Sequence, residues 1–179
     1  TTELNLTDYA RTNDLGITPV VFEDSNVRDS TFFSGGCDAV TNDKSGLASI
    51  RAKAPDQSIF DILPETISKE PLGPVVRQND SQWNDIVMWS LFAMVNAEEL
   101  GLSSSNVDEM KANSTNPEVK RMLGVEGDLN TGLGLGPDWA YNIIKMVGNY
   151  GENYEEYMGA KTVMNIPRKG SVNDLWTRG

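Results

Sequence analysis

Between residues 17 and 63, short runs of β-forming residues alternate with segments of helical character. That alternation constrains the fold more than any other feature of the chain. Residues 17–23 (ITPVVFE), 37–41 (CDAVT) and 58–63 (SIFDIL) read as strands, because β-branched and aromatic residues are concentrated there between turn signals. Residues 3–12, 24–33 and 45–54 read as helices, the second capped by Asp24 or Ser25 and the third stopped before Pro55. Strands separated by helices predict βαβ units, hence an α/β fold with a largely parallel sheet.

The pattern changes near residue 70. Residues 64–80 carry three prolines, Pro64, Pro71 and Pro74, and predict an extended connection with one further strand at 73–77. Beyond it the chain turns helical. Over residues 81–100, Trp83, Ile86, Val87, Leu91, Met94, Val95 and Leu100 recur close to a helical period, and Gly101 is a plausible stop. Further helices are expected at 103–110, at 117–123 with Asn116 as cap and Pro117 in the first turn, and at 138–148. The run Gly132-Leu133-Gly134-Leu135-Gly136 lacks the Lys-Ser/Thr ending of a phosphate loop and reads as a turn. The acidic pairs Glu98-Glu99 and Glu155-Glu156 read as solvated faces.

Composition removes whole classes of chemistry. The chain has no histidine among its 179 residues, which excludes Ser-His-Asp and Cys-His catalysis and every His-ligated metal site. A single cysteine, Cys37, excludes an internal disulfide and a thiolate zinc cluster. No metal or cofactor is expected, and no enzymatic activity. A net charge of −11 argues against nucleic acid as a partner, since that binding needs a basic face. The most apolar stretch, residues 86–97 (IVMWSLFAMVNA), falls short of the roughly 20 residues that span a bilayer. The opening Thr1-Thr2-Glu3 has neither a basic n-region nor an apolar h-region, as expected of a mature, trimmed or truncated form.

Several ordered motifs carry a family resemblance. They include Thr1-Thr2-Glu3-Leu4-Asn5-Leu6, Gly36-Cys37-Asp38, Thr41-Asn42-Asp43-Lys44-Ser45-Gly46-Leu47 and Leu63-Pro64-Glu65. The run from Ile67 to Arg77 (ISKEPLGPVVR) follows, then Asn96-Ala97-Glu98-Glu99-Leu100-Gly101, Leu123-Gly124-Val125-Glu126-Gly127 and Trp139-Ala140-Tyr141-Asn142-Ile143-Ile144. In this order and spacing the chain resembles the periplasmic solute-binding proteins of polar and general L-amino-acid ABC transporters. The resemblance implies a type II periplasmic-binding-protein fold, two α/β lobes closing on a ligand. Residues 1–66 then correspond to an α/β lobe like the second ligand-binding lobe. Residues 67–179 correspond to the crossover segment and the mainly helical C-terminal part of the first lobe. The family pattern also has a long upstream stretch, with most of the first lobe's sheet and an arginine clamp for the ligand carboxylate, so the resemblance implies a truncated form.

The same resemblance implies ligand contacts at Thr1 and Asp43. At Thr1 a hydroxyl and nearby backbone N–H groups would face the ligand carboxylate, a role that suits a helix N-terminus; the residues alone allow an ordinary N-cap as well. At Asp43 a carboxylate would accept from the ligand's α-ammonium; the residues alone again allow a helix cap, at Asp43 or Ser45. Thr41 and Asn42 flank it. Cys37 resembles one half of a disulfide whose partner lies upstream, and otherwise reads as a free, small, buried residue on a strand. The implied function is amino-acid binding for ABC-transporter uptake, in the periplasm, with the transporter's membrane subunits as partners. The alternative is a non-binding structural or interaction protein. Its 81–100 helix would expose Trp83, Ile86, Val87, Met94 and Val95, and it would associate as a homo-oligomer or with a separate N-terminal chain.

Overall fold

The computed structural model describes residues 2–69 and 72–178. The chain divides into two compact units, Thr1–Leu72 and Gly73–Gly179.

Among its described residues the first unit holds three α-helices: α1 (Thr2–Thr12), α2 (Ser25–Phe33) and α3 (Lys44–Ala52). Asp24 caps α2, its carboxylate accepting from the N–H groups of Asn26 (2.7 Å) and Val27 (3.4 Å). That leaves fewer of the first-turn donors unpaired. After α2 the chain reverses through Gly35, whose φ of 79° is a left-handed value, and the Gly36 N–H reaches back to the Thr31 carbonyl at 2.8 Å. Phe32, Phe33 and Phe60 meet in a three-ring cluster with centroids 5.2–5.7 Å apart. Among the described residues of this unit the buried apolar ones are Ala10, Ala48 and Ile50.

The expected strands do not form. Among the described residues no strand is present, at 17–23, 37–41, 58–63 or 73–77, so the sheet of the predicted α/β lobe is not made here. Instead Gln57–Ile59 closes a short 3₁₀ turn. The physical reason is that a strand's N–H and C=O groups are paired only by a neighbouring strand. Without such a ladder, residue preference for the pleated conformation decides nothing. Val20 and Val21 are each 61% exposed and Val75 is 96% exposed, so these segments lack the burial that favours β-branched side chains.

The second unit is built around α4 (Ser81–Glu99), followed by α5 (Val107–Asn113), α6 (Pro117–Met122), α7 (Trp139–Val147) and α8 (Tyr150–Tyr157). Asp80 caps α4 by accepting from the Trp83 N–H at 3.1 Å. Gly101, at φ 68°, ends it, and the Leu102 N–H returns to the Ala97 carbonyl at 2.7 Å. That turn drives Leu102 into a core shared with Ala97, Val107, Val119, Leu123 and Ile144. The α4 helix packs on α7 and α8, and α5 packs on α6 and α7. The run around Gly132–Gly136 forms a 3₁₀ turn, Thr131–Leu133, and a reversal ahead of α7.

Glu98 departs from its reading as a solvated residue. It pairs bidentately with Arg168, at 2.5 and 2.6 Å, and the two side chains are only 17% and 9% exposed. The guanidinium also donates to the Asn173 carbonyl and lies over the rings of Tyr150 and Tyr154. Glu99 accepts from the Thr177 N–H at 2.9 Å. The two acids thus hold the C-terminal segment against α4. Removing one partner of such a buried pair costs about 3–5 kcal/mol, because the other charge is left uncompensated.

Candidate functional site around Asp43

Asp43 stands at the N-terminus of α3, with its backbone at φ −54° and ψ 146°. Its carbonyl accepts from the Leu47 N–H at 2.8 Å, so the backbone contributes to the first turn. Its carboxylate makes no capping hydrogen bond. The neighbouring Asn42 takes up the Asp43 backbone, its Oδ1 accepting from the Asp43 N–H at 2.9 Å. Gly46 leaves room for that amide: a Cβ there would lie 2.8 Å from Asn42 Nδ2. The adjacent cation, Lys44, is directed elsewhere, its Nζ donating to the Pro64 carbonyl at 3.1 Å.

The result is an exposed carboxylate at a helix N-terminus, uninvolved in capping. A negative group is favoured there by the partial positive charge of the unpaired N–H groups. Chemically the site can accept hydrogen bonds from a cation such as an ammonium, with the half-buried Thr41 and Asn42 beside it. Thr1, the other sequence-predicted contact, lies outside the described residues. Cys37 is a free, half-buried thiol. Among the described residues, no group of three or more His, Cys, Asp or Glu side chains is placed to hold a metal ion.

Two polar assemblies in the second unit escaped the sequence reading. One joins α5 to α7: Tyr141 Oη donates to Asp108 at 2.8 Å, Lys145 donates to the same carboxylate, and Lys111 reaches Asp138 at 2.5 Å. The Lys145 ammonium, then the Tyr141 hydroxyl, hold the Asp108 carboxyl below its ordinary range. The bond to Asp108 raises Lys145 and Tyr141 in turn. The other is a groove of about 270 Å³ lined by Leu91, Val95, Tyr150, Val172 and Trp176, with Glu98 and Arg168 alongside. Glu98 and Arg168 are spent on each other, and Asp174, which also lines the groove, accepts from the Gly170 and Leu175 N–H groups and pairs with Arg178, so its charged groups serve the structure. No local motif announces either assembly, because the partners are distant in sequence.

No family model matches the chain. It is 54% identical over 183 aligned residues to the general L-amino acid-binding periplasmic protein AapJ of Rhizobium johnstonii, covering 100% of this chain and 52% of that protein. It is 47% identical to the glutamate/glutamine/aspartate/asparagine-binding protein BztA of Rhodobacter capsulatus, again over 100% of the chain and 52% of the relative. Among solved structures, an ABC transporter/periplasmic binding protein from Brucella ovis with glutathione bound superposes with a TM-score of 0.88. It shares 48% identity, over 94% of this chain and 53% of that one. The chain spans about half the length of the curated relatives it matches. Along its whole length it is thus a homologue of the periplasmic binding proteins of amino-acid ABC transporters, corresponding to about half of each.

Proposed function

We propose that this chain takes part in binding an L-amino acid, polar or of general type, for uptake through an ABC transporter, whose membrane subunits are its partners. The site of action is the periplasm, and the work is ligand capture without covalent chemistry. Residues 1–66 serve as the second ligand-binding lobe. Residues 67–179 serve as the crossover and helical C-terminal part of the first. The β-forming segments at 17–23, 37–41 and 58–63 gain their α/β character only when strands are supplied to pair with them.

In this reading Asp43 accepts from the ligand's α-ammonium, and Thr1 contacts its carboxylate. The observation that carries it is the Asp43 carboxylate, exposed at the start of α3 and unused for capping. The relatives' ligands support it chemically. General L-amino acids, the four acidic and amide amino acids, and glutathione are the molecules named for the homologues. All share an α-ammonium beside an α-carboxylate, which glutathione carries on its γ-glutamyl end.

The test is a thermal-shift titration of the chain, alone and mixed with the half of AapJ that it does not match. The ligands are L-glutamate, L-glutamine and N-acetyl-L-glutamate. A ligand at 100 times its Kd adds about 2.7 kcal/mol of stability. Stabilisation by the free amino acids is expected, lost in Asp43→Asn and absent with the N-acetyl compound, which has no ammonium. No shift in either preparation, or full binding by Asp43→Asn, would overturn the assignment.

A further inference from the structure

A carboxylate and a cation on adjacent residues can close on each other, and the first unit holds such a pair. Arg28 bonds to the next residue, Asp29, its Nε and Nη2 donating to one carboxylate oxygen at 2.9 and 2.7 Å. Asp43 and Lys44 are also adjacent, yet no ion pair joins them. The Lys44 ammonium is instead held on the Pro64 carbonyl at 3.1 Å, 20 positions further along the same unit. The Asp43 carboxylate makes no capping bond either. The site therefore presents an anion and a cation side by side, neither spent on the other.

We propose that Lys44 is a specificity-determining residue of this site: its ammonium takes the side-chain carboxylate of an acidic amino acid whose α-ammonium sits on Asp43. The inference rests on the reading of Asp43 as a ligand contact. An ammonium carries three donors, and the Pro64 carbonyl takes one, so two remain for a ligand. The Lys44 side chain is exposed, so a ligand reaches it without breaking any packing. The Pro64 bond also fixes where the charge stands before the ligand arrives, which lowers the cost of ordering a long side chain on binding. The spacing suits the ligand. Neighbouring Cα atoms stand about 3.8 Å apart, and L-glutamate sets its ammonium and its side-chain carboxylate three carbons apart. With Thr1 assigned to the α-carboxylate, the side-chain carboxylate is the charged group still to be matched. A carboxylate gives Lys44 a charge-assisted bond, stronger than one to a neutral oxygen. The amide of L-glutamine offers only the neutral acceptor, so Lys44 favours the acid over the amide.

The experiment measures the Kd of L-glutamate and of L-glutamine by titration calorimetry, for the parent, Lys44→Met and Lys44→Arg. Each is taken alone and mixed with the half of AapJ that the chain does not match. Lys44→Met keeps the apolar stem and removes the donors and the charge. It should raise the Kd of L-glutamate about tenfold, the loss of one charge-assisted hydrogen bond, and leave that of L-glutamine unchanged. Lys44→Arg keeps a cation and should restore most of the glutamate affinity. The parent's preference for glutamate should shrink as salt is added, because an exposed charge pair is screened. Circular dichroism of both variants reports that they are folded. Equal losses for the two ligands would mean that Lys44 only holds the Pro64 segment in place. That result, no loss for either ligand, or a Lys44→Arg variant as weak as Lys44→Met would each overturn this inference and leave the assignment of Asp43 standing. A parent that binds neither ligand would remove the assignment of Asp43, and this inference with it.

Discussion

At the scale of single residues, Glu152 ties together more of the chain than its position suggests. It accepts from the Ser104 hydroxyl at 2.6 Å, the Asn149 N–H at 2.8 Å and the Ser104 N–H at 3.1 Å. Burial pushes its carboxyl up, but these bonds together outweigh burial and hold it below the ordinary value of 4.5. A folded-state value below the unfolded one contributes stability above the unfolded value and loses it as pH falls through the folded value. The stability gap between the parent and Glu152→Gln, read from urea midpoints, should therefore be widest at neutral pH and close as pH falls below about 4.5. A gap constant from pH 7 to pH 3 would refute this. The candidate site is partly legible at this scale. An Asp ahead of a helix can be read from the sequence. That its carboxylate makes no capping hydrogen bond and that Lys44 reaches Pro64 rather than pairing with it are visible only in the structure.

At the scale of elements, helices were readable wherever a cap and an apolar period coincide. Asp24, Asp80 and Asn116 each accept first-turn N–H groups, as side chains at those positions are suited to do. Two departures have local causes. The helix expected at 103–110 starts at Val107, because Asn106 Oδ1 accepts from the Ser103 N–H at 2.8 Å and holds the serine run in a turn. The α8 helix has weak apolar spacing, so periodicity does not announce it. Its signal was the reciprocal pair Asn149 and Glu152, a capping box. Turn glycines permit a sharper prediction. Gly124 and Gly101 have similar φ values, 70° and 68°, but a Cβ at Gly124 would lie 2.2 Å from the Pro137 carbonyl oxygen, while none meets Gly101 within 4 Å. Gly101→Ala should cost only the left-handed penalty of about 1–2 kcal/mol. Gly124→Ala should cost clearly more, as chemical denaturation of both variants will show. Equal costs would mean that the turn at Gly124 yields freely.

At the scale of the molecule, the two units differ in what they bury. The first relies on Ala10, Ala48 and Ile50, whereas the second buries Leu102, Val107, Val119, Leu123 and Ile144. Local opening is easiest where few apolar contacts are lost. Amide exchange in α1–α3 should therefore be faster than in α4 and α7 under native conditions, as mass-resolved hydrogen exchange would measure. Equal protection across α1–α4 would contradict it.

The sequence by itself determined many of the local features: most of the helices, the caps of α2 and α6, the turn at Gly101, the acid ahead of α3 and the kinship carried by ordered motifs. These depend on neighbours a few residues away, so the information lies within a short window. The tertiary structure alone decided that the β-forming segments have no strand partner among the described residues, and which face of α4 met a core. Of the α4 stripe expected to be exposed only Trp83 is, while Ile86, Val87, Met94 and Val95 are half-buried. It alone brought Glu98 to Arg168, a bond spanning 70 positions. Strand pairing, helix-face burial and a desolvated ion pair each require a second group from elsewhere in the chain, and no residue's own preference supplies it.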